Sequence, residues 1–327
     1  MAAPAAAPTV APPAVTAPAS APPQPQPSPP SPLVLTDTIA LVARQDSIAP
    51  LLVKLSAVAA AAASMPRPVV EAARRLLEGR LDLSRGIDAT SLRQAVLRAG
   101  VIAEPGVRPE AGDLRANLLG LRGLALAALG ESAIAPVAPV RGRPAPPLEG
   151  HGPRVPPSVV PDPGLDADPA RLLRDLAGQA EAVLSRLKLL QLASTSPDPL
   201  RGEPAPRQEF RLELPLLFNA QAGMMSLVID RDREQRQRQT ERGWRLRFAM
   251  RFAATGEVGA DVVLFGRSAT VGLWASEPCI ADAMEEMLPE LAPALARHGL
   301  ELAGLRLRRE APAAGTGSAG QLLDSSR

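Results

Sequence analysis

Apolar positions recur along this chain with two different periods, and the change from one to the other divides it. From Leu33 to Gly130, Leu, Val, Ala and Arg repeat at helical spacing, as in Val69, Ala72, Ala73, Leu76 and Leu77, where Pro68 suits a helix start. Asp88 or Thr90 can cap a second helix through Leu92, Val96 and Leu97 that ends near Gly100. Asp113 can cap a third through Leu114, Leu118, Leu119 and Leu124, and the Ala57–Ala63 run also favours helix. Asp168 and Pro169 then supply a cap and a first-turn proline for a helix whose inner face reads Leu173, Leu176, Ala180, Leu184, Leu187 and Gln191.

After that helix the period shortens to two. Phe210, Leu212 and Leu214 alternate with Glu209, Arg211 and Glu213, and Met225, Leu227 and Ile229 repeat the spacing. Trp244, Leu246, Phe248, Met250 and Phe252 alternate with Arg245, Arg247 and Arg251. Val258, Ala260, Val262 and Leu264 lead through Gly266-Arg267-Ser268 into Ala269, Val271 and Leu273, a hairpin with glycine in the turn. These are half-buried antiparallel strands with one wet face. Ser276 is placed to cap a helix carrying Ile280, Met284, Met287, Leu288, Leu291 and Leu295, closed by Gly299, and a last strand covers Leu305 to Leu307. Pro289 and Pro293 fall inside that helix; an interior proline removes a backbone hydrogen bond at a cost of about 3 kcal/mol and bends the axis.

The fold class is therefore α+β, a small C-terminal domain of antiparallel strands with a packed, proline-bent helix, preceded by an all-α region and long Pro/Ala-rich disordered segments. The 37 prolines place those segments. Residues 1–32 hold no charge and no aromatic side chain, so they have little to bury and take polyproline II character. The expected divisions are 1–32 disordered, 33–130 helical, 131–168 a Pro-rich linker, 169–195 a helix, 207–310 the α+β domain and 311–327 a flexible tail.

Charge and chemistry narrow the function. A formal net charge of +2 does not point to nucleic acid. Arg231, Arg233, Arg236, Arg238 and Arg242 are interleaved with Asp230, Asp232, Glu234 and Glu241, the pattern of a solvated loop; an Arg-rich nucleic-acid-binding module over Arg231–Arg247 is the alternative. Cys279 is the single cysteine, so no internal disulfide is possible, and with His151 and His298 it cannot close a four-ligand zinc site without carboxylates. No cofactor, metal or catalytic residue is expected. Gly315-Thr-Gly-Ser-Ala-Gly320 matches a dinucleotide fingerprint by letter but lacks a following βαβ unit. Glu285 and Glu286 diverge by about 100° on a helix and read as solvent-facing. The N-terminus lacks a basic segment followed by a continuous apolar stretch, and no run reaches the roughly 20 apolar residues of a membrane span, so the chain is expected to start in the cytoplasm without membrane insertion.

Val258-Gly259, the alternating Ala260–Leu264 and Ala269–Ala275, and a helix carrying Met287-Leu-Pro-Glu-Leu291 and Ala294-Leu-Ala-Arg-His-Gly-Leu-Glu-Leu302 resemble the C-terminal domain of flagellar hook-length control proteins. Ser91–Gly100, Asp113–Leu119, Leu187–Leu192 and Leu212–Leu217 are similar to segments of the longer members. The resemblance implies a non-enzymatic ruler, exported uncleaved from the cytoplasm through the flagellar type III apparatus. Its C-terminal domain engages the cytoplasmic domain of the export-gate switch protein and turns export from rod and hook subunits to filament subunits. Hook and hook-cap proteins are further implied partners, and the chain is expected to be a monomer. A needle-length regulator of a non-flagellar type III system is the nearest alternative. The residues implied for partner contact are Val262, Leu264, Val271, Leu273, Trp274, Leu288, Pro289 and Leu291, with Trp274 and Glu290 expected to be exposed and the others to double as core.

Overall fold

The computed structural model of the chain describes residues 32–101, 113–131, 144–147, 152–155, 168–195, 209–219, 221–231, 243–252 and 255–310. The expectations for residues 1–31, for the Arg233–Arg242 loop, for most of 131–168 and for the glycine-rich tail lie outside them.

Six helices come before most of the strands: α1 Pro32–Arg44, α2 Ile48–Ala60, α3 Arg67–Glu78, α4 Ala89–Arg98, α5 Leu114–Leu129 and α6 Pro169–Thr195. Short polar side chains start α2, α4, α5 and α6 by accepting from backbone N–H groups that the first turn leaves unpaired. Asp88 accepts from Ser91 at 2.6 Å, Asp113 from Arg115 at 3.1 Å and Asp168 from Ala170 at 3.0 Å, so Asp88 rather than Thr90 caps α4. Gly130, left-handed at φ 69°, closes α5. Leu51, Leu55, Leu118, Leu121 and Leu176 are fully buried, each contributing about 1.5–3 kcal/mol through its removal from water. Leu119, one of the apolar positions read along α5, is 47% exposed.

The strands form one seven-stranded sheet in chain order: β1 Leu81–Asp82, β2 Phe210–Phe218, β3 Gln221–Arg231, β4 Gly243–Phe252, β5 Gly256–Phe265, β6 Ser268–Ala275 and β7 Glu301–Arg308. Strands β2 to β6 are an antiparallel meander. Contrary to the all-antiparallel expectation, β7 runs parallel to β6, because the 20-residue helix α7, Pro278–Arg297, carries the chain back along the sheet before it pairs. The two-residue β1 also pairs in parallel, Leu81 with Leu216.

Register gives the sheet two unlike faces. Leu212, Leu227, Phe248, Ala260, Leu273 and Leu307 are successive cross-strand partners on the apolar one. Val228, Arg247, Asp261, Gly272 and Arg306 form a row on the other. A single hydrophobic cluster joins α2, α3, α5 and α6 to Leu212, Leu214, Leu216, Met225 and Phe252.

On β2 the expectation of one wet face fails, because Glu209, Arg211 and Glu213 are all buried. Arg186 of α6, also buried, donates from Nη2 to Glu213 Oε1 at 2.6 Å and from Nε to the same carboxylate at 3.1 and 3.3 Å. Its Nη1 donates to Gln45 Oε1 at 2.7 Å and to the carbonyl of Ala145 at 2.6 Å, while Gln45 Nε2 reaches the carbonyl of Pro144 at 3.3 Å. One guanidinium thus ties together the α1–α2 junction, the 144–147 segment, α6 and β2. Arg211 pairs with Glu209, and its backbone N–H donates to Ser194 Oγ at 3.0 Å. Burial holds the Arg211 guanidinium below its ordinary pKa, opposed by the neighbouring Glu209 carboxylate.

Candidate functional site

The hairpin β5–β6, helix α7 and strand β7 form a closed unit. Phe265 pairs with Ser268 across a two-residue turn in which Gly266 takes φ 56°, the positive φ that a type II′ hairpin places at its first central residue. Arg267 at the tip donates from Nε to the carbonyl of Gly299 at 2.9 Å and accepts the Glu301 N–H at 2.8 Å. Gly299, at φ 74°, and Leu300 donate back to the carbonyls of Ala296 and Leu295 at 2.9 and 3.1 Å, a glycine-closed helix end as expected. The hairpin tip therefore fixes where α7 stops and β7 begins.

The start of α7 differs from expectation. Its N-cap is Glu277, whose side chain makes no cap hydrogen bond. Ser276 instead clamps the strand: its Oγ accepts the Glu257 N–H at 2.8 Å and its own N–H donates to the Glu257 carbonyl at 2.8 Å. The hydroxyl is spent on the hairpin, not on the helix.

Val262 and Val271 are direct cross-strand partners on the apolar face, with Leu264 opposite Ala269 and Leu273 opposite Ala260. Val271 is buried; Val262, Leu264 and Leu273 are half-buried, as are Leu288 and Leu291 on α7. Pro289 and Glu290 are exposed, beside Met287, which is 64% exposed. Trp274 does not join this group. It lies on the opposite face in the row Ser226, Ala249, Gly259, Trp274, and is 5% exposed, which corrects the expectation that it is an exposed contact. Its ring takes the space that a side chain on Gly259 would fill: a Cβ there would stand 2.2 Å from Trp274 Cζ2.

Sequence reasoning missed the ion pairs that cover this second face. Arg245 grips Asp261 with Nε–Oδ1 2.9 Å and Nη2–Oδ2 2.5 Å, Arg247 meets Asp230 at 2.5 Å, and Arg251 pairs with Glu257. The signal was present, since arginines at alternate positions of one strand face acids at alternate positions of its neighbours. Arg245 and Arg247, which the nucleic-acid alternative needs, are neutralised by these partners. Arg309 pairs with Asp282 at 2.9 Å and Glu285 at 3.0 Å on α7.

Among the described residues no three His, Cys, Asp or Glu side chains could hold a metal ion, and no helix is long and apolar enough to cross a membrane. Cys279 is an exposed free thiol. A cavity of about 430 Å³ lies between α3, α4, α5 and β2, lined by Leu76, Arg98, Leu114 and Leu214, away from the hairpin. A sheet with paired charges, a half-buried apolar strip and an exposed helix surface make up this C-terminal unit. Residues 232–315 match the family described as flagellar hook-length control protein FliK. That stretch contains β4 to β7 and α7, so the similarity to this family falls on the C-terminal part of the chain. No curated protein and no solved structure matches the chain. The segments between Ser91 and Leu217 that share the resemblance lie outside the matched residues.

Proposed function

We propose that the chain is a hook-length control protein that leaves the cytoplasm through the flagellar type III apparatus. Its C-terminal unit contacts the cytoplasmic domain of the export-gate switch protein and turns export from rod and hook subunits to filament subunits. The protein acts as a monomer, and hook and hook-cap proteins are further contacts during export. It regulates by contact and transforms no substrate. The observation that carries this reading is the coincidence of the family match, 232–315, with the hairpin, helix and parallel strand that the Arg267 and Ser276 hydrogen bonds hold together. Partner contact falls to the exposed surface of α7 around Met287, Pro289 and Glu290 and to the half-buried strip of Val262, Leu264, Leu273, Leu288 and Leu291. Val271 and Trp274 support that surface from within the fold. The length-measuring role draws on chain reach, since 327 residues extend to on the order of 1,000 Å at ~3.3 Å each.

Deleting residues 208–310 is expected to give over-long hooks without filaments, scored by electron microscopy of the deletion strain. Normal filaments on hooks of normal length would end the reading. A pull-down with the export-gate cytoplasmic domain adds a finer arm. Met287→Glu, on the surface of α7, is expected to lose the partner while keeping the wild-type unfolding midpoint.

A further inference from the structure

The last strand leaves one edge of the sheet open. Among the described residues nothing pairs with the outer side of β7, whereas the opposite edge is the two-residue β1. A β-bulge interrupts the β6–β7 register between Ala269 and Thr270, and beyond it Gly304 to Arg308 follow Thr270 to Trp274 residue for residue. The backbone groups of this stretch that point away from β6 are therefore presented in strand geometry, a template for another chain.

The side chains select what docks there. Leu305 and Leu307 continue the apolar face next to Val271 and Leu273. Arg306 and Arg308 are exposed on the other face and make no ion pair or hydrogen bond with any described residue, while Arg245, Arg247 and Arg251 on that face each hold an acid. Arg309, the next residue, is occupied by Asp282 and Glu285. Two unmatched cations thus stand two residues apart at the rim of an otherwise neutralised face. Antiparallel self-pairing that aligns residues 304–308 with themselves would set these arginines against arginines, which disfavours a second copy of β7 as the occupant.

We propose that the outer edge of β7 captures an extended segment of a partner protein in which acidic residues alternate with apolar ones. Its backbone would complete the sheet, its apolar side chains would extend the Leu305–Leu307 face, and its carboxylates would meet Arg306 and Arg308. The proposal rests on the register and the charges and holds whether or not the partner belongs to an export apparatus.

The test is hydrogen–deuterium exchange on the full chain with two short synthetic peptides, one alternating glutamate with valine and one alternating lysine with valine. The glutamate peptide is expected to slow exchange in residues 304–308, with at least tenfold weaker binding by the lysine peptide. The doubly reversed R306E/R308E variant is expected to invert that preference; both positions are exposed, so the fold is retained. Slow exchange in the free chain at the 304–308 N–H groups that point away from β6 would overturn the proposal, because the edge would already be occupied. Equal binding of both peptides, an unchanged preference in the reversed variant, or stronger protection by a single-stranded oligonucleotide would each overturn it as well.

Discussion

Replacing Arg186 with methionine is expected to destabilise the chain by about 3–5 kcal/mol, the range found when one member of a buried ion pair is removed and the other is left uncompensated. Glu213 is as buried as Arg186, and it takes three of the guanidinium's contacts. The substitution also orphans Gln45 Oε1 and the Ala145 carbonyl, so the helical layer, the 144–147 segment and β2 all lose their shared partner. The double variant R186M/E213M is expected to recover most of the loss, since two apolar side chains of similar size remove the unpaired charge altogether. Urea unfolding of the wild type, the single variant and the double variant measures both quantities. A loss under 1 kcal/mol in R186M would show that the pair is solvated in the folded protein.

The second large effect is steric. A Cβ on Gly259 would lie 2.2 Å from Trp274 Cζ2 and 2.5 Å from the carbonyl oxygen of Phe248. The indole can move only by leaving a site where it is 5% exposed, and the carbonyl is held in the sheet. Gly259→Val is therefore expected to cost at least the roughly 1–3 kcal/mol typical of overpacking. Gly272, in the neighbouring strand, has no atom nearer than 3.7 Å to the same hypothetical Cβ. Gly272→Ala is expected to be neutral or to stabilise by up to about 1 kcal/mol, because alanine loses less backbone freedom on folding. Thermal unfolding followed by tryptophan fluorescence separates the two variants, with Trp274 buried and Trp244 39% exposed. Equal midpoints for both would mean the indole does not pack on Gly259.

The elements that could be read from the chain are those whose signal is local. The α6 boundaries follow from Asp168, Pro169 and the apolar spacing, and the β5–β6 hairpin follows from two alternating runs around Gly266. What could not be read depends on partners far away in sequence. Glu209, Arg211 and Glu213 look solvent-facing by composition, and only the arrival of α6 turns them into buried groups. Strand β1 is too short to carry any period, and the direction of β7 depends on how α7 crosses the sheet. In the candidate site, the apolar strip of Val262, Leu264 and Leu273 was legible from alternation. Trp274 was not: alternation puts it on the charged face, where a large side chain reads as exposed until Gly259 provides its seat.

The β1 contact carries a kinetic consequence. Ser84 receives the Asn219 N–H across 135 residues of chain and Gln45 meets Arg186 across 141, whereas Phe265 and Ser268 close over two. Loop closure entropy grows with the logarithm of the span, and distant contacts form late because they must wait for that closure. The meander is thus expected to assemble first from neighbouring hairpins, and the helical layer to dock onto β2 afterwards. In pulse-labelled hydrogen exchange during refolding, protection of the β5–β6 amides should precede protection of the Asn219 N–H, which waits for Ser84 to arrive. One shared rate would instead place both layers in a single nucleus. With the layers formed in this order, the half that joins last is also the half that can detach while the hairpin and α7 remain folded.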